Sequence, residues 1–141
     1  MINNFSASGE YDFLSNFYFI GVEYEGMLFA STEHAFQAAK TLAVHERRWF
    51  QKEDMTPGQA KRLGRKIQLR PDWETVKLQV MADVLRAKFK DPELRAKLLA
   101  TGTAELVEGN DWGDCFWGVC RGVGENHLGK SLMRLRLELA G

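Results

Sequence analysis

Cysteine, long apolar runs and charge of one sign are all scarce here, and each shortage excludes something. Cys115 and Cys120 are the only two cysteines. They stand in a Trp/Gly-rich stretch without a second pair, and His34, His45 and His127 do not cluster at ligand spacing. That pattern excludes a disulfide-stapled framework and a Cys/His zinc site, and predicts two reduced thiols. No segment is long and apolar enough to span a bilayer. Met1 to Glu10 has neither the basic start nor the apolar run of a secretory leader, so no membrane partner and a cytoplasmic location are expected. Nineteen basic residues balance nineteen acidic ones. The molecule therefore lacks the broad positive field of non-specific nucleic-acid binders, and any nucleic-acid contact must be local. No repeat, linker or low-complexity stretch divides the 141 residues, so one domain over 1–141 is expected. A chain of this length buries roughly two-thirds of its unfolded surface without covalent staples.

What is present is helix punctuation. Phe17 to Val22 and Met27 to Phe29 are aromatic and β-branched runs around Glu25-Gly26, which predicts an antiparallel hairpin. Ser31 and Thr32 are good N-caps for a helix from about Glu33 with Ala35, Phe36, Ala39, Leu42 and Ala43 on its apolar stripe. Thr56-Pro57-Gly58-Gln59 is a capping-box pattern with proline at the first helical position, and Gly64 is placed to end that helix. Asp72 is placed to cap a longer helix buried through Trp73, Val76, Val80, Val84, Leu85 and Phe89. Asp91-Pro92 ends it and opens another that stops at Thr101-Gly102. Glu105 to Glu108 and Cys115 to Val119 suggest two more short strands, before a final helix from about Leu128. The fold class is mainly α, strictly α+β, with a few short antiparallel strands.

Several residues could carry chemistry, each beside an ordinary structural use. Glu33, Phe36, Gln37 and Lys40 share one side of a helix by spacing. Spacing alone favours the ordinary use, in which Glu33 merely suits the helix N-terminus and Lys40 is a solvated charge. Asp114, in Asp-Cys-Phe-Trp-Gly, sits among Trp112, Phe116 and Trp117, where a partly desolvated carboxyl group could donate a proton. It could as well close an Asx turn. Glycines in Gly122-Val-Gly124-Glu-Asn126-His-Leu-Gly129 could let backbone N–H groups approach a phosphate or ribose oxygen, though the spacing matches neither a Walker loop nor a dinucleotide fingerprint. Lys61, Arg62, Arg65, Lys66 and Arg70 form the densest basic cluster, able to hold phosphate or simply to face solvent. Trp73 and Trp117 could stack on a base or fill a core.

Taken in chain order, these segments resemble the NADAR family of YbiA-like proteins, associated with NAD and ADP-ribose chemistry. The resemblance is carried by Phe13-Leu-Ser-Asn-Phe17, Ser31-Thr-Glu-His-Ala-Phe-Gln-Ala-Ala-Lys40, Ala60-Lys-Arg-Leu-Gly-Arg65, Asp72-Trp-Glu74, Ala87-Lys-Phe89, Thr101-Gly102, Asp114-Cys-Phe-Trp-Gly118 and Gly124-Glu-Asn-His-Leu-Gly129. It implies a mainly helical fold and N-glycosidase activity, on ADP-ribosylated guanine in some members and on ribosylated intermediates of riboflavin synthesis in others. The family's catalytic glutamate falls on Glu33, its tryptophan on Trp73, its aspartate on Asp114 and its candidate covalent lysine on Lys40. Asp111 is a rival for the aspartate, because loop length varies there.

Breaking a ribosyl C–N bond develops positive charge at the anomeric carbon and negative charge on the departing base, which calls for a carboxylate and a proton donor. Glu33 and Asp114 are the two carboxyl groups. A desolvated Lys40 could instead capture the opened sugar as a Schiff base. Phe36, Trp73 and Trp117 are expected to stack on base or sugar. Asn16, Gly124 and Asn126 are expected at hydroxyl or phosphate oxygens, and Arg62 or Arg65 at phosphate. No metal or redox cofactor is expected. The favoured substrate is an ADP-ribosylated guanine, with local contact to modified DNA or RNA. A ribosylaminopyrimidine phosphate is the alternative. A non-catalytic module that binds ADP-ribose or another nucleotide is the competing class, and only an enzyme needs Glu33.

Overall fold

Two successive left-handed residues, Glu25 (φ 48°) and Gly26 (φ 83°), fold the chain back between β1 (Val22–Tyr24) and β2 (Met27–Phe29). Positive φ at both turn positions matches the twist of a tight hairpin, and the strands pair antiparallel with Val22 opposite Phe29. The computed structural model describes residues 1–6 and 9–141. The first strand starts later than the sequence predicts: Phe17 to Gly21 form a turn and an irregular stretch. Ahead of it Asn16 bonds Thr32, sixteen residues on, and the Ile20 N–H donates to the Ala30 carbonyl at 3.0 Å, leading into the ladder.

The helices are α1 (Thr32–Ala38), α2 (Val44–Trp49), α3 (Pro57–Gly64), α4 (Trp73–Lys88), α5 (Pro92–Ala100) and α6 (His127–Ala140). α3 starts with the complete capping box: Thr56 Oγ1 accepts the Gln59 N–H, and Gln59 Oε1 accepts the Thr56 N–H. α5 starts with the Asp91 carboxylate accepting the Leu94 N–H and proline in the first turn. α2 has no apolar stripe to betray it in the sequence. Its anchor is buried Arg47, which donates from Nε to the Thr41 carbonyl at 2.8 Å and from a terminal nitrogen to Glu25 at 2.7 Å. A short strand pair, β3 (Gly109–Asn110) and β4 (Val119–Cys120), is parallel where the sequence predicts antiparallel strands, and it lies downstream of Glu105 to Glu108. Leu106 bridges Ile2 instead. The fold is mainly α with two small two-stranded sheets.

The chain divides into two compact units, Asn16–Lys88 and a discontinuous one made of Met1–Ser15 with Phe89–Gly141. In the first, α1 is the hub: all seven of its residues are buried, and it packs on β1, β2, α2, α3 and α4. In the second, α5 packs on α6, and Phe13, Leu94, Leu98, Leu106, Leu128, Leu132 and Leu135 are buried. Phe13 meets Phe89 edge-on at 6.5 Å. No helix among the described residues is long and apolar enough to cross a membrane.

Gly129 lies in the first turn of α6, where alanine would ordinarily stabilise a helix by up to about 1 kcal/mol. Here a Cβ would collide with the Leu106 carbonyl oxygen and the Asn126 carboxamide. Neither can retreat, because Asn126 donates to the Leu106 carbonyl and accepts the Glu108 N–H, both at 2.9 Å. Gly129→Ala is therefore expected to destabilise by about 1–3 kcal/mol. A urea midpoint at or above wild type would contradict this packing.

Candidate active site

The start of α1 carries four N–H groups without intrahelical partners, and in a fully buried helix each must find an acceptor. Ser31 Oγ accepts the His34 N–H at 3.2 Å. The Asn16 carbonyl takes the Glu33 N–H at 3.0 Å. Thr32 Oγ1 donates to Asn16 Oδ1 at 2.8 Å, and Asn16 Nδ2 faces Met81 Sδ at 3.7 Å. His34, without exposed surface, stands 2.8 Å from the Met55 carbonyl through Nε2 and 2.7 Å from Ser31 Oγ through Nδ1. A carbonyl only accepts, so Nε2 carries the proton and Nδ1 accepts from the Ser31 hydroxyl. Asn16, expected at a substrate hydroxyl, is thus an anchor for the Glu33 turn.

Within that frame the structure gathers Glu33, Phe36, Lys40 and Trp73. Glu33 is 9% exposed, and its Oε2 accepts from Gln37 Nε2 at 2.6 Å, a short charge-assisted contact one helical turn along. Phe36 packs against Trp73 at 5.1 Å with rings inclined 60°. Both are buried, so Trp73 acts as a wall of the core unit. Lys40 lies beyond the end of α1, in the following turn, rather than on the helix itself. Its Nζ is 6.0 Å from the Phe36 ring centre. The turn is pinned from outside: the Arg70 N–H donates to the Lys40 carbonyl at 2.7 Å, and the Arg70 guanidinium bonds the Asp72 carboxylate at 2.6 Å. Burial is the main cause that holds the Lys40 ammonium below the usual lysine range; the positive Arg65 and Lys61 add to it, and the Glu33 carboxylate opposes it. Both arginines expected at phosphate are exposed; Arg65 acts on Lys40 in this way, together with Lys61. Gln37, noted in the sequence only as a face-sharing amide, is the residue whose role was missed. Its i, i+4 spacing from Glu33 is the signal that could have found it.

The remaining candidates lie in the other unit. Asp114 Oδ1 accepts the N–H groups of Phe116 and Trp117 at 3.1 and 2.9 Å, the turn-closing use of an aspartate. The Asn110 side chain clasps the same residue through its N–H and carbonyl. Asp111 is exposed. Trp117 stands edge-on to Phe116 at 4.9 Å, and Phe116 in turn lies 4.5 Å from the His127 ring. Gly124 comes so close to β4 that a Cβ would lie 2.9 Å from Val119 Cα. The Asn126 carboxamide, expected at a ligand oxygen, spends both ends on the Leu106 and Glu108 backbone. Among the described residues no group of three or more His, Cys, Asp or Glu side chains could hold a metal ion.

A NADAR domain family model matches residues 4–140. The chain is 43% identical to the N-glycosidase YbiA of Escherichia coli, over 99% of this chain and 89% of that protein. The NMR structure of E. coli YbiA superposes with a TM-score of 0.87, covering 99% of this chain and 84% of that one. A riboflavin biosynthesis protein of Vibrio vulnificus is 39% identical over 90% of this chain, which corresponds to 35% of that longer protein.

Burial pushes the His34 pKa down, against the hydrogen bond to Met55. The unfolded chain, with a histidine near 6.5, therefore takes up the proton first as pH falls. The stability that neutral His34 supports is fully present above about pH 7 and drains away as pH drops through about 6.5. Urea unfolding is expected to show a falling stability between about pH 7.5 and 5.5, with a flatter slope in His34→Gln. Equal slopes in the two proteins would reject the assignment.

Proposed function

Because the chain belongs to the NADAR domain family, we propose that it is an N-glycosidase, a hydrolase of a ribosyl C–N bond, working at the Glu33 and Lys40 side of α1. The observation that carries this reading is a carboxylate and an amine brought together in a largely desolvated setting, with burial holding the amine below its usual range. A lysine moved this way offers a larger fraction of free base, and so of nucleophile, at neutral pH. The carboxylate, shielded from water, stabilises positive charge developing at the anomeric carbon more strongly than an exposed one could.

In the proposed sequence of events the C–N bond breaks while Glu33 faces the cationic sugar carbon, and the base leaves with the bonding electron pair and takes up a proton. The Lys40 amine adds to that carbon; a proton passes from its nitrogen to the ring oxygen as the ring C–O bond opens, giving a Schiff base, and water then hydrolyses the C=N bond to free sugar and amine. Phe36 presents an aromatic ring close to the amine, and Arg65 and Lys61 supply positive charge for a phosphate-bearing riboside. A ribosylaminopyrimidine phosphate is favoured as substrate by the Vibrio relative named for riboflavin biosynthesis. ADP-ribosylated guanine in nucleic acid is the second substrate reading and rests on the resemblance alone.

Side-by-side incubation with a ribosylaminopyrimidine phosphate and with an ADP-ribosyl-guanine oligonucleotide should give base release from one or both. Glu33→Gln should reduce kcat by about 10²-fold or more while retaining substrate. Undiminished turnover by the variant would remove Glu33 from the chemistry. Borohydride added during turnover should leave a sugar adduct on Lys40, located by peptide mass spectrometry. An unmodified Lys40 in a reacting, reduced sample would reject the covalent route and leave Glu33 with water.

A further inference from the structure

We infer that Gln37 is the positioning residue of Glu33, and that Gly64 is glycine so that Gln37 can hold this place. The inference rests on the assignment of Glu33 as the catalytic carboxylate. Gln37 is 5% exposed, and its Nε2 donates to Glu33 Oε2 at 2.6 Å. Only the NH₂ end of a carboxamide can donate to a carboxylate, so this bond fixes the amide's orientation. The other end, Oε1, is then buried with no hydrogen-bond partner. Such an orphan is uncommon in folded proteins and calls for a reason. If residue 37 served packing alone, methionine or leucine would fill the space without leaving a carbonyl unsatisfied. The donor is what the site retains.

α3 completes the arrangement. A Cβ on Gly64 would fall on Gln37 Oε1 and lie 2.8 Å from its Cδ. Gly64 sits at the end of a regular helix, and its φ is not among the positive values found at other glycines. Its backbone therefore makes no demand for glycine; the space occupied by the Gln37 amide does. With α3 seated against it, the amide cannot swing away from Glu33. The carboxylate is then held in one rotamer, which is worth most to a group that must meet a developing charge at a fixed place.

The test compares the full chain with Gln37→Met, Gly64→Ala, the double variant and Glu33→Gln, on whichever of the two substrates the wild type turns over. Gln37→Met keeps length and apolar volume but loses the donor. It should lower kcat by roughly 10–100-fold with KM within about twofold. Gly64→Ala should also lower kcat, and adding it to Gln37→Met should cause little further loss, because both act through one contact. A wild-type kcat in Gln37→Met with an inactive Glu33→Gln would overturn the positioning role alone. Full activity in Glu33→Gln would overturn the catalytic assignment and this inference with it. A substrate-free check is NMR of the Gln37 side-chain amide, expected downfield in wild type and shifted back in Glu33→Leu. An amide signal at its solvent-exposed position in the wild type would also overturn the inference.

Discussion

Everything in the Asn16–Lys88 unit follows from burying a helix whose first turn is polar. α1 has no exposed residue, yet with its Ser31 cap it begins Ser-Thr-Glu-His. Water cannot satisfy those groups, and each one left unpaired would cost about 1–3 kcal/mol. The surrounding elements are arranged to prevent that: the turn containing Asn16 supplies two acceptors, the segment before α3 supplies the Met55 carbonyl, and α1 itself supplies Gln37. The helix N-terminus contributes partial positive charge beside Glu33. A carboxylate can be kept there at little exposure because the polar shell was built around it.

The far end of α1 is set by the same need. The helix stops at Ala38, and the Ala39 and Lys40 carbonyls that would otherwise be orphaned accept from Arg70. Arg70 is in turn held by Asp72, immediately before the start of α4. One arginine thus closes α1, fixes the approach to α4 and places Trp73 against Phe36. It also places Lys40 off the helix, within electrostatic reach of Glu33 behind it, of Lys61 on α3 and of Arg65 just past the end of α3.

Local grammar was legible in the sequence wherever a residue's own conformation or cap decides the outcome. The Glu25-Gly26 turn, the Thr56 capping box and the Asp91-Pro92 helix start lie where they were expected. α2 was not legible, because a single buried arginine paired across the fold holds it in place of an apolar stripe. The parallel β3–β4 pairing depends on long-range register, which alternation of residue types does not encode. At the site, spacing brought Glu33, Phe36 and Lys40 to one side of a mixed face, where the structure has a helix buried all round and Lys40 past its end. Composition also made Asn16 and Asn126 look like ligand contacts. A carboxamide suits a backbone acceptor as well as a sugar, and only the fold tells which one it meets.

The balance at Lys40 decides what chemistry is open to this site. Glu33 favours the ammonium, whereas burial and two nearby cations favour the free amine, and the second group prevails. Had the helix continued through residue 40, by spacing Lys40 would have stood two turns from Glu33 on the same face, and the contest would rest on the helix surface. The early stop turns the chain, and the Lys40 amine lies 6.0 Å from the Phe36 ring centre, where it feels the positive charge of Lys61 and Arg65. Their positive charge, added to burial, keeps the amine from holding its proton as firmly as a lysine in water would, against the pull of the Glu33 carboxylate.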